Sequence, residues 1–292
     1  PRAILVLELE IWPHLWRRAK AAGIPLVLCN GRMPPRELAA YGRLESFFRE
    51  VLGSARLLCV QDGAAAAGFA CLAPEAPLRI TGNLKFDMQM PAKAARRENR
   101  LVVLGSVHRG EEKLFVQLAG NILAAFPEGR IVLAPRDIAR GNALARRCNR
   151  QQLPHARRSR GATVPPAGGI LILDTIGELA AWYPRASVAV VGGSFDRRVG
   201  GHNPLEAAIA GTPVVFGPGM GHFAMAARVL VEGGGAVQVA DGPGLAAAVR
   251  GLLQDREFAR RTGNRARKAC LRHQGAARAT VNALLAAIRV RG

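Results

Sequence analysis

A chain of 292 residues in which 49% are hydrophobic has enough apolar surface for one large domain or two medium ones, which excludes intrinsic disorder. The formal net charge is +20, carried almost wholly by arginine, since lysine stands only at Lys20, Lys85, Lys93, Lys113 and Lys268. Such a balance reflects either an arginine-rich genomic composition or an anionic partner. Aromatics make up 5% and do not interleave with basic residues, which argues against nucleic acid.

Short β-rich runs alternate with helical patterns from the start. The apolar periodicity predicts strands over residues 4–9, 26–30, 57–60 and 78–81, with helices over 14–22, 35–48 and 63–72 between them. The chain opens at Pro1 just ahead of a strand, so upstream sequence is expected. Residues 88–100, "MQMPAKAARRENR", read as a linker. The alternation then restarts. Strands are predicted over 101–105, 130–134, 170–173, 187–191, 213–216 and 236–239. Helices are predicted over 111–125, 139–150, 176–183, 204–210, 223–232 and 244–253, with two more in 256–291 and a loop over 151–169.

The pattern therefore predicts two α/β units, residues 1–88 and 89–292, the first of them incomplete. Ligands of such folds bind at the carboxyl ends of the strands, which places the expected site in a cleft faced by both sheets. The five cysteines, Cys29, Cys59, Cys71, Cys148 and Cys270, form no CxxC pair and read as structural thiols in a reducing compartment. No apolar run reaches the ~18 residues of a membrane span.

The densest motif is "VVGGSFDRRVGGHNPLEAAIAGTPVVFGPGMGHF", residues 190–223. Two glycine pairs flank a loop that ends on Asn203 and Pro204, an N-cap followed by a proline at the first helical position. Glu206 falls in the first turn. Glycine clearance and a helix start suit a phosphate, and a carboxylate there suits ribose hydroxyls. The alternative is an ordinary strand–loop–helix whose Glu206 offsets the helix dipole.

Several stretches together resemble the 3-deoxy-D-manno-octulosonic acid (Kdo) transferases of lipopolysaccharide synthesis. They are "LELEIWPHL", "IPLVLCNGRM" with "YGRL", "TGNLKFD", "LGSVHRGEE", "LAPRD", "DTIGEL" and "GGS…GGHNPLE…GTPVVFGP", in that order over residues 4–240. The resemblance implies a GT-B glycosyltransferase, with two Rossmann-like domains facing a central cleft. It implies transfer of Kdo from CMP-Kdo to the lipid A precursor at the cytoplasmic face of the bacterial inner membrane, without a metal. It places Pro135, Arg136, Ile176, Gly177, Glu178, Asn203, Pro204, Leu205 and Glu206 on CMP. Lys85 then stabilises the transition state together with a glutamate of "LELEIW", taken as Glu8 rather than Glu10.

The resemblance also implies a glycine-rich segment with the general base, and a membrane anchor, ahead of Pro1. His108 and His202 read as lining the sugar-nucleotide site or satisfying backbone groups, and a metal reading of them lacks a paired carboxylate or cysteine at ligand spacing. Three departures from the family pattern stand out: Leu9 in place of Thr, Asp137 in place of His, and His222 in place of Asn. Two other readings stay open on the residues alone, a GT-B transferase using a UDP-sugar and an inactive nucleotide-binding fragment. Asp174 or Thr175 is expected to cap the helix over 176–183.

Overall fold

The computed structural model describes residues 1–89 and 97–289 as two compact α/β units. Most of the linker expected over 88–100 lies outside the described residues. The first unit comprises residues 1–87 and 273–292, and the second residues 88–272.

In chain order the first unit runs β1 (Ile4–Leu7), α1 (Pro13–Ala21), β2 (Leu26–Gly31), α2 (Pro35–Gly42), α3 (Glu45–Gly53), β3 (Leu57–Val60), α4 (Gly63–Leu72) and β4 (Leu78–Ile80). Its strands form a parallel sheet in the order β1-β2-β3-β4. Leu26, Leu28 and Leu58 turn one sheet face onto Trp16, Leu52 and Phe69. The alternate residues Val27, Cys29, Leu57 and Cys59 turn the other way. Strands that are apolar on both sides need both faces covered.

The second unit runs β5 (Leu101–Val107), α5 (Glu112–Ala125), β6 (Arg130–Pro135), α6 (Gly141–Arg150), β7 (His155–Arg157), β8 (Gly169–Ile172), β9 (Val188–Val191), α7 (Leu205–Ile209), β10 (Val214–Phe216), α8 (Ala224–Glu232), β11 (Ala236–Gln238), α9 (Gly242–Gln254) and α10 (Arg256–Arg272). A last helix, α11 (Ala276–Arg289), supplies Ala283, Leu284 and Ala287 to cover the second face of the first sheet. The described residues 273–289, grouped with the second domain in the sequence, thus pack with the first unit because its sheet has an open apolar face.

The second sheet is parallel throughout, in the order β11-β10-β9-β5-β6-β8-β7. The chain leaves β5 toward β6 and later returns to β5's other edge with β9. This reversal makes the carboxyl ends of β5 and β9 a topological switch point, where an open α/β sheet has a crevice. Cys29, Cys59, Cys148 and Cys270 are buried free thiols, and burial pushes Cys59 and Cys148 up to about 11.

Four local expectations differ from the structure. The helix expected over 35–48 splits into α2 and α3 at Arg43 and Leu44, because Leu44 leaves the helical region with φ −124° and ψ 42°. The loop expected over 151–169 contains the edge strand β7, paired with β8. The helix expected over 176–183 is two single 3₁₀ turns, Leu179–Ala181 and Tyr183–Arg185. Gly177 at φ +84° and Pro184 break the helical ladder there. β1 ends at Leu7 rather than Leu9.

α10 crosses α7 at Gly263, where an added Cβ would overlap the Gly211 carbonyl oxygen. Backbone on backbone cannot yield as a side chain can. Gly263→Ala is therefore expected to destabilise the second unit by about 2–3 kcal/mol, read by urea denaturation.

Candidate functional site

In the first unit the functional geometry starts from a bulge. The β2–β3 register shifts between Leu28 and Gly31, and Asn30 takes a left-handed φ of 56°. This turns the buried Asn30 side chain to accept the Leu84 N–H at 3.0 Å, while its carbonyl accepts from Gln61 at 3.1 Å. Asn83 Oδ1 accepts the Lys85 N–H at 3.0 Å. The 3₁₀ turn Leu84–Phe86 is thereby fixed with Lys85 at its centre.

Lys85 Nζ lies 2.7 Å from Glu8 Oε1, and Arg32 Nε lies 3.4 Å from Glu8 Oε2. Burial alone would raise the Glu8 pKa, but Lys85 and then Arg32 outweigh it and hold the carboxyl below its usual range. Glu8 also sits at φ +59°, strained for a glutamate, with its N–H held by the Cys29 carbonyl at 2.9 Å. Glu10 faces elsewhere and accepts from Trp12 Nε1 at 2.8 Å. Strand alternation does not put Glu8 and Glu10 on one face, because β1 has ended at Leu7 before either residue. Glu8 is the carboxylate that meets Lys85.

The second unit has a matching device at the switch point. The β5–β6 register shifts between Leu104 and Val107, and Ser106 takes φ 55°. Gly192 lies against that bulge, where a Cβ would overlap the Ser106 carbonyl oxygen. Beneath the glycine loop sits Glu111, 4% exposed. Its carboxylate accepts the backbone N–H groups of Gly193 at 2.6 Å, Phe195 at 2.9 Å and His108 at 3.0 Å. Ser194 completes the anchor, donating to Val191 O at 2.6 Å and accepting from Gly217 N at 2.9 Å.

The other end of the loop delivers the helix start. Gly200 and Gly201 have φ of 77° and 78°. Asn203 Oδ1 accepts the Leu205 N–H at 3.0 Å just ahead of α7, but the N-cap of α7 is Pro204, one position later than the expected Asn203. Pro204 and Leu205 are buried. Glu206 is partly buried, and burial outweighs its hydrogen bond from Asn203 and raises its pKa. Pro135 is buried at the end of β6. Arg136 is exposed, and its N–H donates to Val107 O at 2.9 Å, which ties the ends of β5 and β6 together.

The segment 174–178 is a loop at the end of β8, buried at Asp174 and exposed at Ile176 and Gly177. Ile176 is 83% exposed. Glu178 accepts from Thr175 Oγ1 at 2.6 Å and Arg158 Nε at 2.7 Å. Asp174 caps no helix. It accepts the Ser159 N–H at 2.9 Å, the Ser159 hydroxyl at 2.8 Å and Arg157 Nε at 2.7 Å. These partners outweigh burial and lower its pKa. Gly141 packs against this carboxylate, so the loop is pinned to the start of α6.

The His108 and His202 ring centroids are 6.1 Å apart. Among the described residues no group of three His, Cys, Asp or Glu side chains could hold a metal ion.

The model of the 3-deoxy-D-manno-octulosonic-acid transferase (kdotransferase) family matches residues 1–88. A curated 3-deoxy-D-manno-octulosonic acid transferase of Bordetella pertussis is 35% identical over 97% of this chain and 69% of its own length. That of Haemophilus influenzae is 30% identical over 94% of this chain and 67% of its own length. The chain belongs to the Kdo transferase family. It spans about two thirds of the length of these relatives.

Solved structures agree on the fold. The C-terminal CMP-Kdo binding domain of WaaA from Acinetobacter baumannii matches with a TM-score of 0.55 and 24% identity, covering 59% of this chain and 89% of that one. Sucrose-phosphate synthase from Thermosynechococcus elongatus matches with a TM-score of 0.58 and 14% identity, covering 98% of this chain and 73% of that one. The fold of this Kdo transferase family member is the pair of parallel α/β domains of GT-B glycosyltransferases.

Sequence reasoning missed Glu111, Asn30 and Arg32 as supports of the two clusters. Their motifs, "HRGEE" and "CNGRM", were in view. What was missing was the long-range pairing, Glu111 with Gly193 and Asn30 with Leu84, which no local pattern carries.

Proposed function

We propose that this chain binds CMP-Kdo on its second unit and transfers Kdo to the lipid A precursor. The observation that carries the reading is the switch-point helix start. Asn203 Oδ1 holds the Leu205 N–H just ahead of it, Glu206 stands in its first turn, and the glycine loop before it is clamped from below by Glu111. In this reading Glu206 accepts hydrogen bonds from the ribose hydroxyls, and Arg136 with the helix start holds the phosphate. Pro135 and the loop Ile176–Glu178 form the rest of the CMP site. The acceptor hydroxyl attacks the anomeric carbon and CMP leaves. Lys85 neutralises phosphate charge as the bond breaks, and Glu8 balances positive charge developing on the sugar. The acidic inner-membrane surface is the proposed partner of the +20 charge, at about 1 kcal/mol per basic residue near it. Among the described residues no helix is long and apolar enough to cross a membrane.

Calorimetric titration tests the reading. CMP is expected to bind, UDP to bind much more weakly, and Glu206→Ala to weaken CMP about tenfold or more. Absence of heat with CMP on folded protein would sink the proposal, and equal binding of UDP would redirect it to a UDP-sugar. The pH dependence has a definite sign. Burial raises the Glu206 pKa, so the accepting carboxylate is lost on acidification at a higher pH than for an ordinary glutamate. CMP affinity should therefore fall as pH drops through that raised value, and the fall should vanish in Glu206→Gln.

A further inference from the structure

We propose that His108, His222 and His202, grouped beside Arg136, form the subsite for the carboxylate of the donor sugar. The inference rests on CMP-Kdo being the donor. It adds the residues that distinguish an acid sugar from a neutral one.

The group is assembled by the same glycine loop that leads to α7. His202 packs its ring edge over Gly193, where a Cβ would lie 2.7 Å from Cδ2 and 2.9 Å from Nε2. His222 packs its ring over Gly200 in the same manner, at 2.9–3.0 Å, and its backbone N–H donates to the Gly200 carbonyl at 2.8 Å. Only glycine leaves room for either imidazole. His108 stands 6.1 Å from His202. Its Nδ1 is 3.0 Å from the Arg109 carbonyl oxygen, and a carbonyl can only accept, so Nδ1 carries a proton and Nε2 donates to an anion when the ring takes up its second proton. His202 Nε2 is buried and has no hydrogen-bond partner.

The acidic groups nearby leave this cluster unneutralised. Glu111 has both oxygens committed to backbone N–H groups. Asp196 faces His108 but is bound twice by the Arg198 guanidinium, at 3.0 and 2.9 Å. Burial, then Arg136, His108 and His222, push His202 down to about 4, so it serves as a neutral hydrogen-bonding group beside Arg136.

Such a surface has one guanidinium for a phosphate and imidazoles for a second anion next to it. A nucleoside diphosphate hexose carries no acid on its sugar. A 2-keto-octulosonic acid carries its carboxylate on the very carbon bonded to the phosphate oxygen, so the two anions must lie side by side. Imidazole N–H groups give that carboxylate charge-assisted or neutral hydrogen bonds, each sufficient for about a tenfold gain in affinity.

The test is titration calorimetry of the full chain with CMP and with CMP-Kdo, for the unaltered protein and for His222→Ala, His108→Ala and His222→Asn. The expected result is CMP-Kdo binding about tenfold or more tighter than CMP. His222→Ala and His108→Ala should remove most of that advantage while leaving CMP affinity in place. His222→Asn, which keeps an N–H donor, should retain much of it. His222 lies on an exposed turn, and a thermal melt of each variant establishes that it is folded. An unchanged ratio of the two affinities in both alanine variants overturns the subsite and leaves the CMP reading standing. Failure of CMP itself to bind the unaltered protein overturns both.

Discussion

Lys85→Ala is expected to lower the rate of Kdo transfer by about 10²–10³-fold while leaving CMP affinity within about twofold. The lysine reaches its position because the Asn30 and Asn83 side chains accept the Leu84 and Lys85 backbone N–H groups, not through its own side chain. Removing the ammonium therefore leaves the turn in place and deletes one charge. That charge faces Glu8 at 2.7 Å, so the carboxylate's pKa is expected to rise when Lys85 is lost. Its depressed value is stabilising above the unfolded pKa, and this contribution disappears as pH falls through the folded pKa. In Lys85→Ala that loss should begin at higher pH. Lys85→Arg restores charge but not the compact point geometry, and it should recover only part of the rate. Single-turnover transfer, calorimetry with CMP and NMR titration of Glu8 separate these effects. A variant that turns over normally would remove Lys85 from the mechanism.

The second large effect is at Glu111. Glu111→Ala leaves the Gly193, Phe195 and His108 amides without their acceptor. Each buried N–H without a partner costs about 1–3 kcal/mol, and partial relaxation leaves an expected destabilisation of about 3–5 kcal/mol. For a unit of this size that corresponds to a fall in Tm of roughly 6–20 °C. Glu111→Gln is nearly isosteric, yet its NH₂ would point a donor at one of these amides. It should therefore lie between alanine and the native residue in stability, and CMP affinity should fall with it because the glycine loop sets Asn203 and Glu206. Chemical denaturation paired with CMP titration reads both. A glutamine variant as stable as the native chain would show that the amides find other acceptors.

The fold class was legible because its signals are local and repeated. Alternating β-rich and helical runs and a polar basic break near residue 90 each depend on a few adjacent residues, and the Asn-Pro signal marked the start of α7 to within one residue. The structure places Glu8 beside Lys85, two residues chosen on resemblance and separated by most of the first unit. What stayed hidden depends on distant partners. No pattern near Ala276 announces that α11 covers Cys29 and Cys59. No pattern near Asp174 shows that Arg157 and Ser159 will claim it before a helix does. The left-handed backbone at Glu8, Asn30 and Ser106 was equally invisible, since none of these is a glycine.

The return of α11 to the first unit inverts the order in which the halves can mature on the ribosome. Residues 88–272 emerge as a finished piece. The earlier-made half must wait, with one side of its four strands bare, until residues 276–289 leave the exit tunnel. The half synthesised first is thus the half completed last, and it is the one exposed to chaperones and proteases during translation.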